Sequence, residues 1–341
     1  MGTGPEARNI YTHVRIPGGE KVPKPMGTPS SQLSTNGPPG EAAVVRHSLG
    51  QNGKRISYLT AEGVRAGTCP AILLLHGSGV SARSWTFQLQ NLGHALRILA
   101  IDLPGHGESD PIDNMTLEGY ADAARGLLDA LGTGPVLVAG HSLGGAVAQV
   151  LAARHPEMVR GLVLLSTCVN LPETNGFLHR FYRYLPASIQ KVLFFSTAKK
   201  ILFSPSASRE AILLGMEELR ACRPETILRD MAAAQAMDLQ EVAQGLRVPT
   251  LILCGNRDKL TPPAFSARLR ELISDSRLLI VAGAGHMLPL ETPGRVSEEL
   301  LEFVNSVAPP EARFVPAIRG AGKRSIVRRL IEKVTALFRR E

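Results

Sequence analysis

Short apolar runs of strand length alternate with longer stretches of helical periodicity along most of this chain. Residues 44–49 and 56–60 alternate apolar and polar side chains, with Gln51-Asn52-Gly53 between them as a turn, which predicts an opening antiparallel pair. Residues 71–75 (Ala-Ile-Leu-Leu-Leu), 136–139 (Val-Leu-Val-Ala), 249–255 (Pro-Thr-Leu-Ile-Leu-Cys-Gly) and 277–281 (Arg-Leu-Leu-Ile-Val) are too continuously apolar for a sheet with one wet face. They predict buried parallel strands with helices on both faces and right-handed crossovers. The alternation runs through Ser166 and stops between Cys168 and about Leu246, where the pattern is helical and amphipathic.

Chemistry gathers where these strands end. Residues 136–139 run into Gly140-His141-Ser142-Leu143-Gly144-Gly145, and an Ala-rich helical pattern follows at once. A serine hydroxyl is a poor nucleophile until a sharp strand-to-helix turn lifts it clear of the backbone beside a base. Gly140 and Gly144 suit such a turn, because a Cβ at either would collide with neighbouring backbone. A G-x-S-x-G match alone is weak, and its placement between strand and helix gives it weight. Asp258 lies just past the strand at 249–255, and His286 just past the strand at 277–281, in Ala282-Gly283-Ala284-Gly285-His286-Met287. Asp258 alone reads as a solvated loop carboxylate and His286 alone as an ordinary loop histidine. Together with Ser142, at three strand ends, they supply nucleophile, base and orienting acid. The strand at 71–75 leads into His76-Gly77-Ser78-Gly79, whose glycines let backbone N–H groups approach a substrate oxygen. The N–H groups of Ser78 and Leu143 are the expected oxyanion hole, a role in which their side chains should matter little.

These residues, with Asp102-Leu103-Pro104-Gly105-His106-Gly107-Glu108-Ser109, resemble the α/β-hydrolase superfamily over about residues 43 to 307. The resemblance implies an α/β-hydrolase fold: a mostly parallel eight-stranded sheet flanked by helices, with a helical cap. It implies Ser142, Asp258 and His286 as the catalytic triad, in the chain order of this fold, with no cofactor and no metal. Asp102 and His106 fall in a turn that is structural in such proteins, with Asp102 a rival for the acid. Ser81-Ala82-Arg83-Ser84-Trp85 resembles the cofactor-free haloperoxidase and esterase branch. A serine nucleophile argues against dehalogenases and epoxide hydrolases, which use aspartate.

The expected organisation is a Gly/Pro-rich disordered segment over 1–40, a core made of 41–168 and 247–308, a cap over 169–246, and a basic amphipathic helix over 309–341. Residues 1–40 hold no apolar signal-peptide core, and Glu6 breaks the myristoylation pattern after Gly2. Four cysteines (Cys69, Cys168, Cys222, Cys254) show no paired or zinc-ligand spacing, which reads as reduced thiols in a cytoplasmic protein. Within residues 177–203, Phe177, Phe181, Tyr182, Tyr184, Phe194, Phe195 and Phe203 make seven of the chain's 16 aromatics. They read equally as a pocket for a hydrophobic substrate or as packing of the cap onto the core. Arg180, Arg183 and Lys191 interleave with them. From Glu311 to the end, nine basic residues face three acidic ones, six of the formal +8. Ile326, Val327, Leu330, Ile331, Val334, Leu337 and Phe338 recur there at helical spacing, so residues 323–340 suit an anionic membrane surface or an acidic partner, or a helix docked on its own domain. One aromatic and no recognition motif there argue against nucleic acid.

The expected reaction is two-step hydrolysis of an ester or related acyl bond of a small hydrophobic substrate. A carbon–carbon bond hydrolase and a cofactor-free haloperoxidase or perhydrolase are the alternatives on the same fold. A ligand receptor or membrane-docked scaffold is the non-enzymatic one, disfavoured by an aligned acid and base.

Overall fold

A computed structural model of the protein describes residues 42–62, 71–171 and 187–308. All of these fall within one unit of the chain, Gly37–Glu341. The expected disordered segment, Cys69, the aromatic and basic residues between Phe177 and Tyr184, and the basic tail lie outside the described residues.

Asn52 and Gly53 both have positive φ, 50° and 73°. A two-residue turn of that kind matches the natural twist of a hairpin. It joins β1 (Val44–Gln51) to β2 (Lys54–Ala61) in antiparallel register, Gln51 opposite Lys54 and Val44 opposite Ala61. The remaining strands are β3 (Ile72–Leu75), β4 (Ile98–Ile101), β5 (Val136–His141), β6 (Val159–Leu165), β7 (Thr250–Gly255) and β8 (Ser276–Val281). They form one eight-stranded sheet in the order β1-β2-β4-β3-β5-β6-β7-β8. β2 meets β4 antiparallel, and every pairing from β4 to β8 is parallel. The mostly parallel sheet expected from the apolar runs is therefore present.

Side chains along each strand alternate between two cores. Leu73 and Leu75 of β3 join one cluster, and Ile72 and Leu74 join the other. The helices that follow in the chain are α1 (Thr86–Leu92), α2 (Leu117–Ala130) and α3 (Leu143–Arg154). The chain between β6 and β7 forms α4 (Ala187–Leu202), α5 (Arg209–Ala221), α6 (Pro224–Ala236) and α7 (Gln240–Gly245). α8 (Pro263–Leu272), α9 (Leu288–Glu291) and α10 (Pro293–Val307) complete the described helices. α2, α3 and α8 seal the face of Leu73 and Leu75, and α1 and α10 seal the opposite one. The strand order thus reverses at β3. Its connection leaves toward the α1 face, while that of its neighbour β5 leaves toward the α3 face. Such a switch point opens a crevice at the carboxyl ends of the two strands, where His76–Gly79 and Ser142 lie.

The helices between β6 and β7 occupy the interval where alternation stopped in the sequence. Phe203, Ala211, Met216 and Leu219 from this interval share a third apolar cluster with Val80 and Met287 from the loops after β3 and β8 and Leu290 of α9. None of the described helices is long and apolar enough to cross a membrane.

The turn after β4 fixes the loop after β3. Asp102 is fully buried and accepts hydrogen bonds from Arg46 Nη1 at 2.6 Å, the Ala82 N–H at 2.8 Å and the Glu108 N–H at 3.1 Å. Gly107, at φ +48°, leaves no room for a Cβ beside that carboxylate. Asp102 is thus committed to scaffold, as its turn suggested. Asp102→Ala should destabilise the protein to urea by about 2 kcal/mol or more, because it removes the acceptor of two N–H donors and one partner of Arg46, which keeps Ser57 and Glu108. A loss under about 1 kcal/mol contradicts that assignment.

Candidate active site

The glycines around Ser142 are where the fold is tightest. A Cβ on Gly140 would meet the Gly144 carbonyl, and one on Gly144 would meet the carbonyl oxygens of Leu75 and His76. This close approach holds Ser142 at φ +53°, ψ −121°, a conformation rare for a residue with a side chain. The Ser142 N–H donates to Leu165 O at 2.9 Å, and Ser142 O accepts from Thr167 Oγ1 at 2.8 Å, so the end of β6 and the residues just after it brace the elbow. Leu143 begins α3, and a first-turn N–H has no acceptor within its own helix.

Asp258 and His286 are brought together. His286 Nδ1 donates to Asp258 Oδ2 at 3.0 Å, and both side chains are almost fully buried. Thr261 donates its N–H to Asp258 Oδ1 at 2.8 Å and its hydroxyl to Oδ2 at 2.9 Å, and the Leu260 N–H adds a third donor at 2.9 Å. Burial alone would raise the Asp258 carboxyl. The charge of His286, its hydrogen bond and the Thr261 donors outweigh that and bring it down to about 2. The His286 N–H and the Met287 N–H both donate to Leu202 O, at the end of α4. Glu291 accepts from the Gly285 and Met287 N–H groups and from Ser204 N–H, which fixes the loop further. His141, next to Ser142, donates from Nε2 to the His286 carbonyl at 2.8 Å, with the two rings 5.0 Å apart. Burial and the nearby His286 hold the His141 ring down to about 3, so it is neutral.

The loop after β3 sits against the elbow: a Cβ on Gly77 would be 3.1 Å from Ser142 Cβ. His76 orients this loop. Its Nε2 accepts the Leu103 N–H at 3.0 Å, and its Nδ1 donates to the Gly77 carbonyl at 2.8 Å. Burial, then the charge of His106, lower the His76 ring to about 4 and keep it neutral. The Gly77–Ser78 peptide is trans, so drawing the Gly77 carbonyl toward His76 turns the Ser78 N–H the opposite way. Above the loop, Leu219 of α5 and Ile227 of α6 crowd the position where Gly79 would carry a Cβ.

Sequence reading missed several participants. Thr261 and Glu291 lie three and five residues beyond Asp258 and His286 and carry no motif. Asp230 of α6 is fully buried and accepts from Tyr120 Oη at 2.6 Å and from His106 Nε2 at 2.9 Å. Glu218 of α5, also buried, accepts from the Ser81 hydroxyl and pairs with Arg83 at 3.0 Å. Cys168 and Cys254 are buried and Cys222 partly so, and all three are free. No cluster of metal-ligating side chains occurs among the described residues.

The Alpha/beta hydrolase family matches residues 72–299, well over half of the chain. The chain belongs to this family. It is 29% identical over 252 residues to a 2-hydroxy-6-oxononadienedioate/2-hydroxy-6-oxononatrienedioate hydrolase from Pseudomonas, a match covering 68% of this chain and 87% of the relative. It is 27% identical over 223 residues to a pimeloyl-[acyl-carrier protein] methyl ester esterase from Neisseria meningitidis, covering 63% of this chain and 86% of that one. Among solved structures, a thermophilic esterase superposes with a TM-score of 0.66 at 29% identity, covering 78% of this chain and 99% of that one. The fold is the alpha/beta-hydrolase fold, and these relatives are hydrolases.

Asp258 titrates at about 2 in the folded chain against an ordinary 3.8. A carboxyl lowered by folding stabilises the fold above its unfolded value, and that stability is lost as pH falls through the folded value. Resistance to urea should therefore drop between about pH 4 and pH 2, and Asp258→Asn should flatten part of that limb. The same slope in the variant contradicts the charge-based holding of Asp258.

Proposed function

We propose that this family member is a serine hydrolase that cleaves an ester, or a related acyl bond, of a small hydrophobic substrate. The observation that carries the reading is the buried His286–Asp258 hydrogen bond beside a serine held on a left-handed elbow. In the proposed reaction His286 Nε2 takes the proton of Ser142 Oγ as the oxygen attacks the substrate carbonyl carbon. Asp258 holds the hydrogen on Nδ1, which leaves Nε2 free as the base, and it stabilises the imidazolium that forms. The N–H groups of Ser78 and Leu143 receive the oxyanion of the tetrahedral intermediate. His286 then returns the proton to the leaving alcohol, and water repeats the sequence on the acyl-enzyme.

The helices between β6 and β7 serve as the cap in this reading. Val80, Leu219 and Met287 share an apolar cluster, with Ile227 and Phe195 packed against it, between these helices and the loops after β3 and β8. Apolar surface of that kind suits an acyl chain. Similarity to the Pseudomonas dienedioate hydrolase favours a second reading, carbon–carbon bond cleavage with the same three residues.

The test is hydrolysis of p-nitrophenyl esters from acetate to palmitate. Wild type should turn them over with a preference set by the cap, and Ser142→Ala should lose about 10⁴-fold or more in kcat. Asp258→Asn should lose about 10⁴-fold with KM little changed, because it leaves His286 in the wrong tautomer. No turnover at any length by folded protein, with turnover of a dienol diketone instead, replaces the ester reading by the second one.

A further inference from the structure

His286 lies in a loop, so no strand ladder fixes its backbone. A buried loop N–H must still find an acceptor. Gly285, His286 and Met287 present three N–H groups in a row, and all three go to the end of α4 or to Glu291, the last residue of α9. The Gly285 N–H donates to Glu291 Oε2 at 3.0 Å, and the Met287 N–H to Glu291 Oε1 at 3.1 Å. The His286 and Met287 N–H groups share Leu202 O, at 3.0 and 3.1 Å. Glu291 Oε2 also accepts the Ser204 N–H at 2.9 Å, two residues past the end of α4. One carboxylate thus grips both neighbours of the base and the segment leaving α4. The fit requires Gly285, because a Cβ there would lie 2.6 Å from Ser204 N and 2.8 Å from Glu291 Oε1. Phe203, Met287 and Leu290, beside this clamp, are buried in one apolar cluster, where an N–H without an acceptor is costly.

An imidazole is placed by its two ends. The bond from His286 Nδ1 to Asp258 Oδ2, at 3.0 Å, holds the ring end. The reach of the ring toward Ser142 is set only when its Cα is held as well. We propose that Glu291 is a positioning residue for His286: its carboxylate clamps the backbone on both sides of the base to the end of α4, so that base and helix end keep one geometry. In this role Glu291 touches no reacting atom. The inference rests on the serine-hydrolase reading above.

The structure separates this role from simple attachment of α9. Gln88 of α1 is fully buried and donates from Nε2 to Pro289 O at 3.1 Å and to Pro293 O at 3.4 Å. Gln88→Leu therefore loosens α9 while every acceptor of residues 285–287 stays. Glu291→Gln does the reverse. Its amide oxygen can serve the Ser204 and Gly285 N–H groups, but its NH₂ then meets the Met287 N–H donor to donor. The side chain keeps its shape and two of its three bonds.

The experiment measures kcat and KM for p-nitrophenyl butyrate in the full-length chain. Wild type, Glu291→Gln, Glu291→Ala, Gln88→Leu, His286→Ala and the double variant His286→Ala with Glu291→Gln are compared. Misplacing a catalytic group by about 1 Å costs about 10²-fold. Glu291→Ala should lower kcat by about that factor and Glu291→Gln by about 10-fold, with KM within about threefold in both. Gln88→Leu should keep kcat within about threefold of wild type. Without His286 there is no base left to position, so the double variant should match the residual rate of His286→Ala within about twofold. Wild-type kcat in Glu291→Gln overturns the proposal even where Glu291→Ala fails to fold. An equal loss in Gln88→Leu also overturns it, because any loosening of α9 would then suffice. So does a further loss of about 10-fold in the double variant, which would show Glu291 acting other than through the base. Hydrolysis that survives Ser142→Ala overturns the serine-hydrolase reading itself, whereas Ser142-dependent hydrolysis indifferent to Glu291 overturns only this inference.

Discussion

Everything at the carboxyl end of this sheet depends on how closely α3 approaches the end of β3. The Gly144 Cα lies against the carbonyls of Leu75 and His76, with no space for a methyl group. That contact leaves Ser142 nowhere to go but a left-handed conformation, which costs a non-glycine residue about 1–3 kcal/mol. The strain persists because β5 and residues 143–152 of α3 are buried or nearly so and because the end of β6 and Thr167 just beyond it hold the N–H and the carbonyl of Ser142. A side chain raised on such a turn is fixed by backbone, so its position does not depend on its own rotamer entropy. The same contact brings the loop after β3 beside the serine, which places an amide-bearing loop and a hydroxyl within one crevice.

Around this point the chain distributes its buried histidines by what their neighbours offer. His76 accepts an N–H on one nitrogen and donates from the other, so it is neutral and serves as a bracket for the Gly77 carbonyl. His141 donates to the His286 carbonyl and ties the elbow to the histidine loop. His106 finds acceptors at both nitrogens and pairs with Asp230. His286 faces a carboxylate fixed by Thr261, which keeps hydrogen on Nδ1. His76 and His141 thus serve as neutral brackets, whereas His286 lies at a strand end with a fixed carboxylate behind it. Asp102, a second carboxylate at a strand end, is consumed by Arg46 and two N–H groups, which removes it as a rival to Asp258.

The sheet was legible because its strands are buried on both faces and so appear as unbroken apolar runs, as at Ile72–Leu75 and Thr250–Gly255. The Asn52-Gly53 turn was legible because few residue pairs adopt positive φ twice. Ser142, Asp258 and His286 could be singled out because each follows a strand, where the fold concentrates loops. Asp230 and Glu218 could not be. Each lies inside an amphipathic helix, where a single acidic residue looks like part of the wet face, and only the three-dimensional seating of α5 and α6 turns it inward. Glu291 was hidden for a different reason: its partners are backbone N–H groups, which leave no mark in sequence.

The account stands on Ser142 Oγ becoming covalently acylated. The most direct measurement is intact-mass and peptide-mass analysis of the protein quenched in acid during turnover of p-nitrophenyl butyrate. A single added butyryl group, mapped to the peptide containing Ser142 and absent in Ser142→Ala, is the predicted result. Turnover with no acyl adduct, or with the adduct on another residue such as Cys222, would contradict it.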